Sequence, residues 1–362
     1  MFKKIDQYII RKYLFTFLYV ALIFTQIAIV IDFSEKVEEF IDEPVTVKQV
    51  LVDYYLNFVF WINGVLWPLY SLITVIFFTS RMAYNSEIIS ILGAGVSFRR
   101  MMVPYMLAAS LIAGLHLLGN HIIIPIGNKT KLDFEHAYVW KESDEGKTRN
   151  VDMFIAPQEK VFVRYYRKKD TTAMDLRLER FEDNQLKSYI KAKTAEWKGY
   201  PNHWELKNYE IRTFNGMDEE LIVGRGETLD TSFNLVPADF VRYNNQKEMM
   251  TTPELRKFIE DERQRGVNLT KVYQIEIYRR TADPFTILIL TVIGMAVASR
   301  KVRGGMGLHL ALGVAIGAIF IFLSRFSITF ATSEALPALL GVWIPNIVFS
   351  AIALVLVLNA QK

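Results

Sequence analysis

The chain contains no cysteine, which excludes disulfides, thiolate metal sites and cysteine nucleophiles together. Histidine is scarce, with five in 362 residues. In the polar middle of the chain His136 and His203 stand without the carboxylate–histidine spacing of a zinc site. No G-x-S-x-G elbow occurs. Gly146-Lys147-Thr148 has the look of a P-loop terminus, but the glycine needed five positions earlier is Lys141. The chain therefore has no nucleotide site of its own. A strong charge of one sign is missing too. The formal net charge of +4 gives no reason to expect nucleic acid, because cationic loops beside membrane segments produce the same excess.

Apolar sequence is what the chain has in quantity. Hydrophobic residues make up 51% and the mean hydropathy is +0.18, yet 22% of residues are charged. That mixture implies membrane segments joined to a sizeable soluble part. A hydrocarbon core roughly 30 Å thick takes about 20 apolar residues in a helix. Residues 13–31, 54–80 and 101–128 carry no Asp, Glu, Lys or Arg, and neither do 284–299, 304–324 and 335–360. The pattern is three spans, a polar insert and three more spans, with the fourth starting before Asp283-Pro284. The first apolar run follows Lys3, Lys4, Arg11 and Lys12, like a signal peptide. It is longer than an h-region and no A-x-A site closes it, so it reads as a retained span.

Loop charge predicts the orientation. The N-terminus is basic, Arg81, Arg99 and Arg100 flank the second connection, and Arg300, Lys301 and Arg303 crowd the fourth. The first connection carries Glu35, Glu38, Glu39, Asp42 and Glu43 against Lys36 and Lys48. Both termini are thus expected in the cytoplasm and the insert outside.

The insert reads as antiparallel β structure over 129–250. KVFVRYY (160–166), MDLRLERF (174–181), LKSYIKAKTAEW (186–197), HWELKNYEIRTF (203–214) and GETLDTSF (226–233) are separated by turn residues such as Asp183-Asn184, Gly199-Tyr200-Pro201 and Asn215-Gly216. Alternation places Met174, Leu176 and Leu178 on one face. Close-spaced strands without intervening helices imply a sandwich, jelly roll or barrel. A helical connector over 251–283 follows, with Thr252 capping Pro253, a stop at Gly266 and a new helix from about Asn268.

Between the second and third apolar runs lies SEIISILGAGVSFRR (86–100). Ser86 is expected to cap a helix of about two turns, Glu87 to suit its positive end, and Gly93 or Gly95 to close it. Ile88, Ile91, Leu92 and Val96 share one face; Glu87, Ser90 and Ala94 share another. So short a helix is marginal alone and needs something to pack against. Two readings stay open: a helix resting on lipid, and a cytoplasmic knob docking on a partner.

The chain resembles the LptF/LptG family of lipopolysaccharide-export permeases. IDQYIIRKYL at the start, SEIISILGAGVSF, EIYRRTADPF before the fourth apolar run and MGLHLALG opening the fifth carry the likeness. So does the 3 + 3 arrangement around a β insert. The resemblance implies six transmembrane helices (3+3) with an inserted extracytoplasmic antiparallel β jelly-roll domain, in a bacterial inner membrane. It implies a coupling helix at about 86–96, with Ser86, Glu87, Ile88, Ile91, Leu92, Gly93 and Gly95 facing a cytoplasmic ABC ATPase dimer. ATP and magnesium would then belong to that partner, and this chain would be non-catalytic, without a cofactor. A second homologous permease, periplasmic jelly-roll proteins of the LptC and LptA type and lipopolysaccharide itself complete the implied partners. The short β domain and the IDQYI start lean towards the LptG side.

Lipid-binding candidates are Phe33, Phe58, Trp61, Phe320, Leu323 and Phe326 for acyl chains and Arg325 and Lys36 for phosphate; ordinary packing or lipid-facing surface is the other reading. Family members often carry lysines near the outer end of the first span. Here Asp32 and Glu35 stand there, and Lys36 lies among Glu38 and Glu39. His116 and Asn120 are one turn apart, next to His121, without an acidic partner in the run; helix–helix hydrogen bonding is expected over a proton relay. Asn63-Gly64 and Pro68 are expected to mark a bend. A secondary transporter would want inverted repeats or charges deep in the spans, and a membrane-anchored scaffold would leave the short helix without a task.

Overall fold

A computed structural model describes residues 4–140, 148–183, 185–199, 202–240, 245–265, 271–300, 305–333 and 335–360. Gly146, Lys147, Asn184, Tyr200, Pro201, Gly266, Asn268, Lys301 and Arg303, all named above, lie outside them.

Among the described residues, six helices are long and apolar enough to cross a membrane, three on each side of a six-stranded antiparallel sheet in the chain. In chain order the helices are α1 (Lys4–Asp42), α2 (Val47–Tyr84), the short α3 (Glu87–Gly93) and α4 (Phe98–Tyr138). After the sheet come α5 (Thr252–Gln264), α6 (Lys271–Ala298), α7 (Gly305–Thr332) and α8 (Ala338–Ala360). The chain divides into two compact units. One holds Met1–Val139, Glu248–Thr252 and Lys271–Lys362; the other holds Trp140–Lys247 and Pro253–Thr270.

The helical unit is knit by close approach and by buried polar contacts. A methyl on Gly341 would fall 2.3 Å from Ala331 Cβ, so only glycine lets α7 and α8 touch there. The Tyr13 hydroxyl of α1 reaches Thr291 of α6 at 2.7 Å and also meets Ser71 of α2. Two helices contain a π-helical turn, Val50–Tyr55 in α2 and Gly119–Ile123 in α4. Such turns rotate the side chains that follow and recur near functional sites. The third helix also outlasts its charge-free run. Residues 129–138, assigned above to the insert, continue α4 because Leu132, Phe134, Lys131 and Glu135 are buried there. The fourth begins at Lys271, inside the stretch assigned to the connector.

In the other unit the strands are β1 (Arg149–Ala156), β2 (Glu159–Arg167), β3 (Thr172–Glu182), β4 (Gln185–Gly199), β5 (His203–Asn215) and β6 (Asp218–Ser232). Each pairs with its neighbour in sequence. One row of the register runs Val161, Leu178, Ile190, Ile211 and Ile222 across five strands. The strand expected at 226–233 starts eight residues earlier, and β1 was not foreseen. Alternation also breaks in the middle of β3. Ala173, Leu176 and Leu178 are buried while Met174 is only half-buried, because Asp175 adopts φ 52° between them. Asn208 does the same in β5 at φ 53°, where its side chain accepts the Gly226 N–H at 2.9 Å. The core of this unit gathers Val161, Val163, Leu176, Trp204, Leu206 and Phe240, and Trp204 donates to the Leu235 carbonyl at 2.9 Å.

Candidate functional site

The short helix α3 forms where expected, but two of its parts work differently. Ser86 does not cap it: the residue sits in the left-handed region at φ 61° and its side chain makes no capping bond. Its carbonyl instead accepts the Ser90 N–H at 3.0 Å. The apolar face also divides. Ile88 is 1% exposed, and Ile91 and Val96 pack against the same buried cluster, which includes Ile9 and Met82. Ile88 cannot meet a partner directly, contrary to its assignment above; it holds the helix to its own protein. Leu92 (39% exposed) faces outward together with Ile89 (53%), which the sequence reading passed over. Gly93, Ala94 and Gly95 are exposed beside them, with Gly95 at φ 85° turning the chain towards Val96.

Glu87 is engaged within the chain. Its Oε2 accepts from the Tyr8 hydroxyl at 2.9 Å and from Lys12 Nζ at 3.3 Å, and Oε1 lies 3.4 Å from Asn85 Nδ2. Partial burial pushes the Glu87 carboxyl up; the Tyr8 hydrogen bond and the Lys12 charge outweigh that and hold it below its ordinary value of 4.5. In the first turn of α4, Arg100 makes a bidentate pair with Asp6 at 2.8 and 2.6 Å, and the Asp6 side chain is buried.

A second group lies where α1, the π turn of α2 and the end of α4 meet. Lys36 Nζ is 2.8 Å from Asp32 and 2.7 Å from Glu135, and it also donates to Tyr54. The Tyr54 hydroxyl lies 2.9 Å from both oxygens of Asp32, and Glu135 takes a second cation, Lys131, at 3.0 Å. Lys131 sits over the Trp61 ring at 4.4 Å. Two carboxylates and two ammonium groups balance, so Lys36 is a neutralised structural cation here. Phe58 is 5% exposed among Tyr54, Tyr55 and Trp61. Neither residue has the open surface that the lipid assignment needs.

The other lipid candidates fall into two kinds. Phe320 and Leu323 pack on the α2–α6–α8 core, Phe320 edge-on to Phe349 at 5.0 Å. Phe33 is 47% exposed, Phe326 is 53% exposed, and Arg325 is exposed next to it. Phe326 joins Phe322 and Phe330 in a ladder of rings along α7, with centroids 5.9 and 4.7 Å apart.

A third group was invisible in sequence. A cavity of about 40 Å³, room for a water or two, is lined by Asn120, Asn128, Glu248, Glu276, Arg279 and Asp283 among others. Arg280 Nε pairs with Glu276 at 3.2 Å, and its guanidinium reaches the Thr252 hydroxyl at 3.2 Å. That hydroxyl also meets His121 Nδ1 at 2.8 Å. Thr252, expected to cap Pro253, is instead the first residue of α5, and its hydroxyl serves these tertiary contacts. His116 behaves as expected of a packing group: Nε2 lies 2.8 Å from the Gly64 carbonyl, so Nε2 carries the proton and donates. Replacing His116 with leucine should leave that carbonyl unpaired and destabilise the protein by roughly 1–3 kcal/mol. The pH profile of transport should stay unchanged, as thermal unfolding and transport assays run in parallel will check.

The family model described as "Lipopolysaccharide export system permease LptF/LptG" matches residues 7–359. A search of curated proteins found no match.

Proposed function

Because the chain belongs to the LptF/LptG family of lipopolysaccharide export permeases, a multi-pass protein of the inner membrane, we propose that it is half of an ATP-driven lipid extractor. In this reading α3 lies in the cytoplasm and docks by Ile89, Leu92 and the Gly93–Gly95 rim into a groove of an ABC ATPase dimer. The partner binds ATP and magnesium. A second, homologous permease completes the membrane cavity. The β unit lies in the periplasm and hands lipopolysaccharide towards jelly-roll carriers of the LptC and LptA type.

The observation that carries the reading is the two-sidedness of α3. Its inner face is satisfied by the protein's own core through Ile88 and Ile91, while Ile89 and Leu92 remain uncovered. A helix resting only on lipid has no need of Glu87 tying its start to α1, or of Arg100 tying the start of the following helix to the same segment. A partner that must be pushed against does. Loop charge supports the sidedness, since Arg81, Arg99 and Arg100 adjoin α3.

Lipid contact is assigned to the exposed candidates, Phe33 and Phe326 for acyl chains and Arg325 for a phosphate. Arg325→Gln should weaken lipid retention about tenfold at low salt and less at high salt, as an interfacial ion pair does. Binding of labelled lipopolysaccharide at two ionic strengths checks it. The whole reading is tested by reconstituting the chain with its ATPase and a second permease in vesicles. ATP-dependent release of lipopolysaccharide to a soluble acceptor is the expected result; release without the ATPase would sink it.

A further inference from the structure

IDQYIIRKYL marks the start of the chain yet has no task in the reading above. The structure gives it one. Asp6 and Tyr8 lie in the first turns of α1 and Lys12 one turn beyond Tyr8; Tyr8 and Lys12 reach the first residue of the docking helix, and Asp6 reaches the first turn of α4 after it. Tyr8 and Lys12 hold Glu87 at its first position; Asp6 holds Arg100, in the first turn of α4, the helix that follows it. Ile9, between them, shares a buried cluster with Ile88. These partners are 75 to 94 residues apart in the chain, so the attachment is entirely non-covalent.

The helix that receives the attachment is held along one face and open along the other. In its most apolar window α1 is 11% buried, against 39% for α2 and 61% for α6. Leu18, Leu22, Ile27 and Val30 of its middle are exposed. Its other face is fixed along its length: by the Asp6–Lys12 ties and the Tyr13 hydroxyl bonds, by Phe17 and Val20 buried in the same cluster, by the Asn63–Thr25 hydrogen bond at 3.0 Å and by the Lys36–Glu135 pair. A rod held along one face carries a displacement of its first turns along its length.

We infer that the docking helix and residues 6–12 of α1 move as one body, so that a displacement imposed on α3 is delivered directly to the first span. Asp6, Tyr8 and Lys12 are positioning residues: they act through Glu87 and Arg100. Glu87 thereby has two duties, one edge held by its own chain and the remaining exposed edge, 30% of the side chain, open to a partner. The inference rests on the docking reading and specifies how the push enters the membrane.

Absence of cysteine makes the test clean. In the reconstituted complex, Tyr8→Phe with Lys12→Met should retain the ATPase at the level of the unaltered chain. Lipid released per ATP hydrolysed should fall about fivefold, in the range by which a coupling contact shifts two-site communication. Asp6→Cys with Arg100→Cys should show the same loss, and joining the two thiols with a short bis-maleimide should restore the ratio. Rescue by a covalent tie is what a single moving body predicts. If the crosslink abolishes release while the ATPase stays bound, the two elements must separate during the cycle and the inference is wrong. An unchanged ratio with the ties cut overturns it equally. Failure of the unaltered chain to retain any ATPase would instead sink the docking reading.

Discussion

Aspartate at both Ile89 and Leu92 should strip the partner ATPase from this protein and reduce ATP-driven lipid release to background. Both side chains are substantially exposed in the isolated chain, so the substitution costs the fold little. Docking is where they would be buried. Burying an aliphatic side chain contributes roughly 1.5–3 kcal/mol, and two lost together, at about 1.4 kcal/mol per tenfold, weaken binding at least about 100-fold. A charge forced into the groove without a partner adds to the loss. Co-purification of the ATPase with the variant measures this, with thermal unfolding of the permease alone as the control. Ile88→Asp gives the contrast. At 1% exposure it should lower the unfolding temperature and the yield, because the charge enters the protein's own core. A variant pair in which Ile88 proved tolerant and Ile89 and Leu92 proved indifferent would invert the assignment of faces.

That assignment shows where sequence reading stopped. Helical spacing grouped Ile88, Ile91 and Leu92, yet a helix of seven residues turns through barely two cycles. The division between inner and outer face then depends on where the first residue points. Ser86 at φ 61° sets that direction, and no spacing rule foretells a left-handed serine. Membrane spans were legible because lipid imposes a length and forbids charge, constraints that act on composition alone. The end of α4 was not, since its continuation through Lys131 and Glu135 depends on partners contributed by α1 and α2. A signal did exist: Asp32 and Lys36, like Lys131 and Glu135, are opposite charges four residues apart on a helix. What no single helix could reveal is the π turn that brings Tyr54 between the two pairs.

The same cluster supports the second large effect. Glu135 is the shared acceptor of Lys36 and Lys131 and is 2% exposed. Glu135→Gln removes one of two negative charges and leaves two ammonium groups around Asp32 alone. Breaking a buried ionic group by deleting one partner typically costs about 3–5 kcal/mol, because the surviving charge stays buried without compensation. The variant should unfold at a markedly lower temperature in detergent. Adding Lys131→Met to it leaves Asp32 with Lys36, a balanced pair already at 2.8 Å, so the double variant should be more stable than Glu135→Gln itself. An equal or greater loss in the double variant would mean that shape, not charge balance, governs this region. The comparison also decides the standing of Lys36. Were it a free cation for lipid phosphate, Lys36→Met would weaken lipid binding and leave stability intact. Held by two carboxylates and a tyrosine, it should instead lose stability first, and lipid binding only as far as the first span loses its anchor.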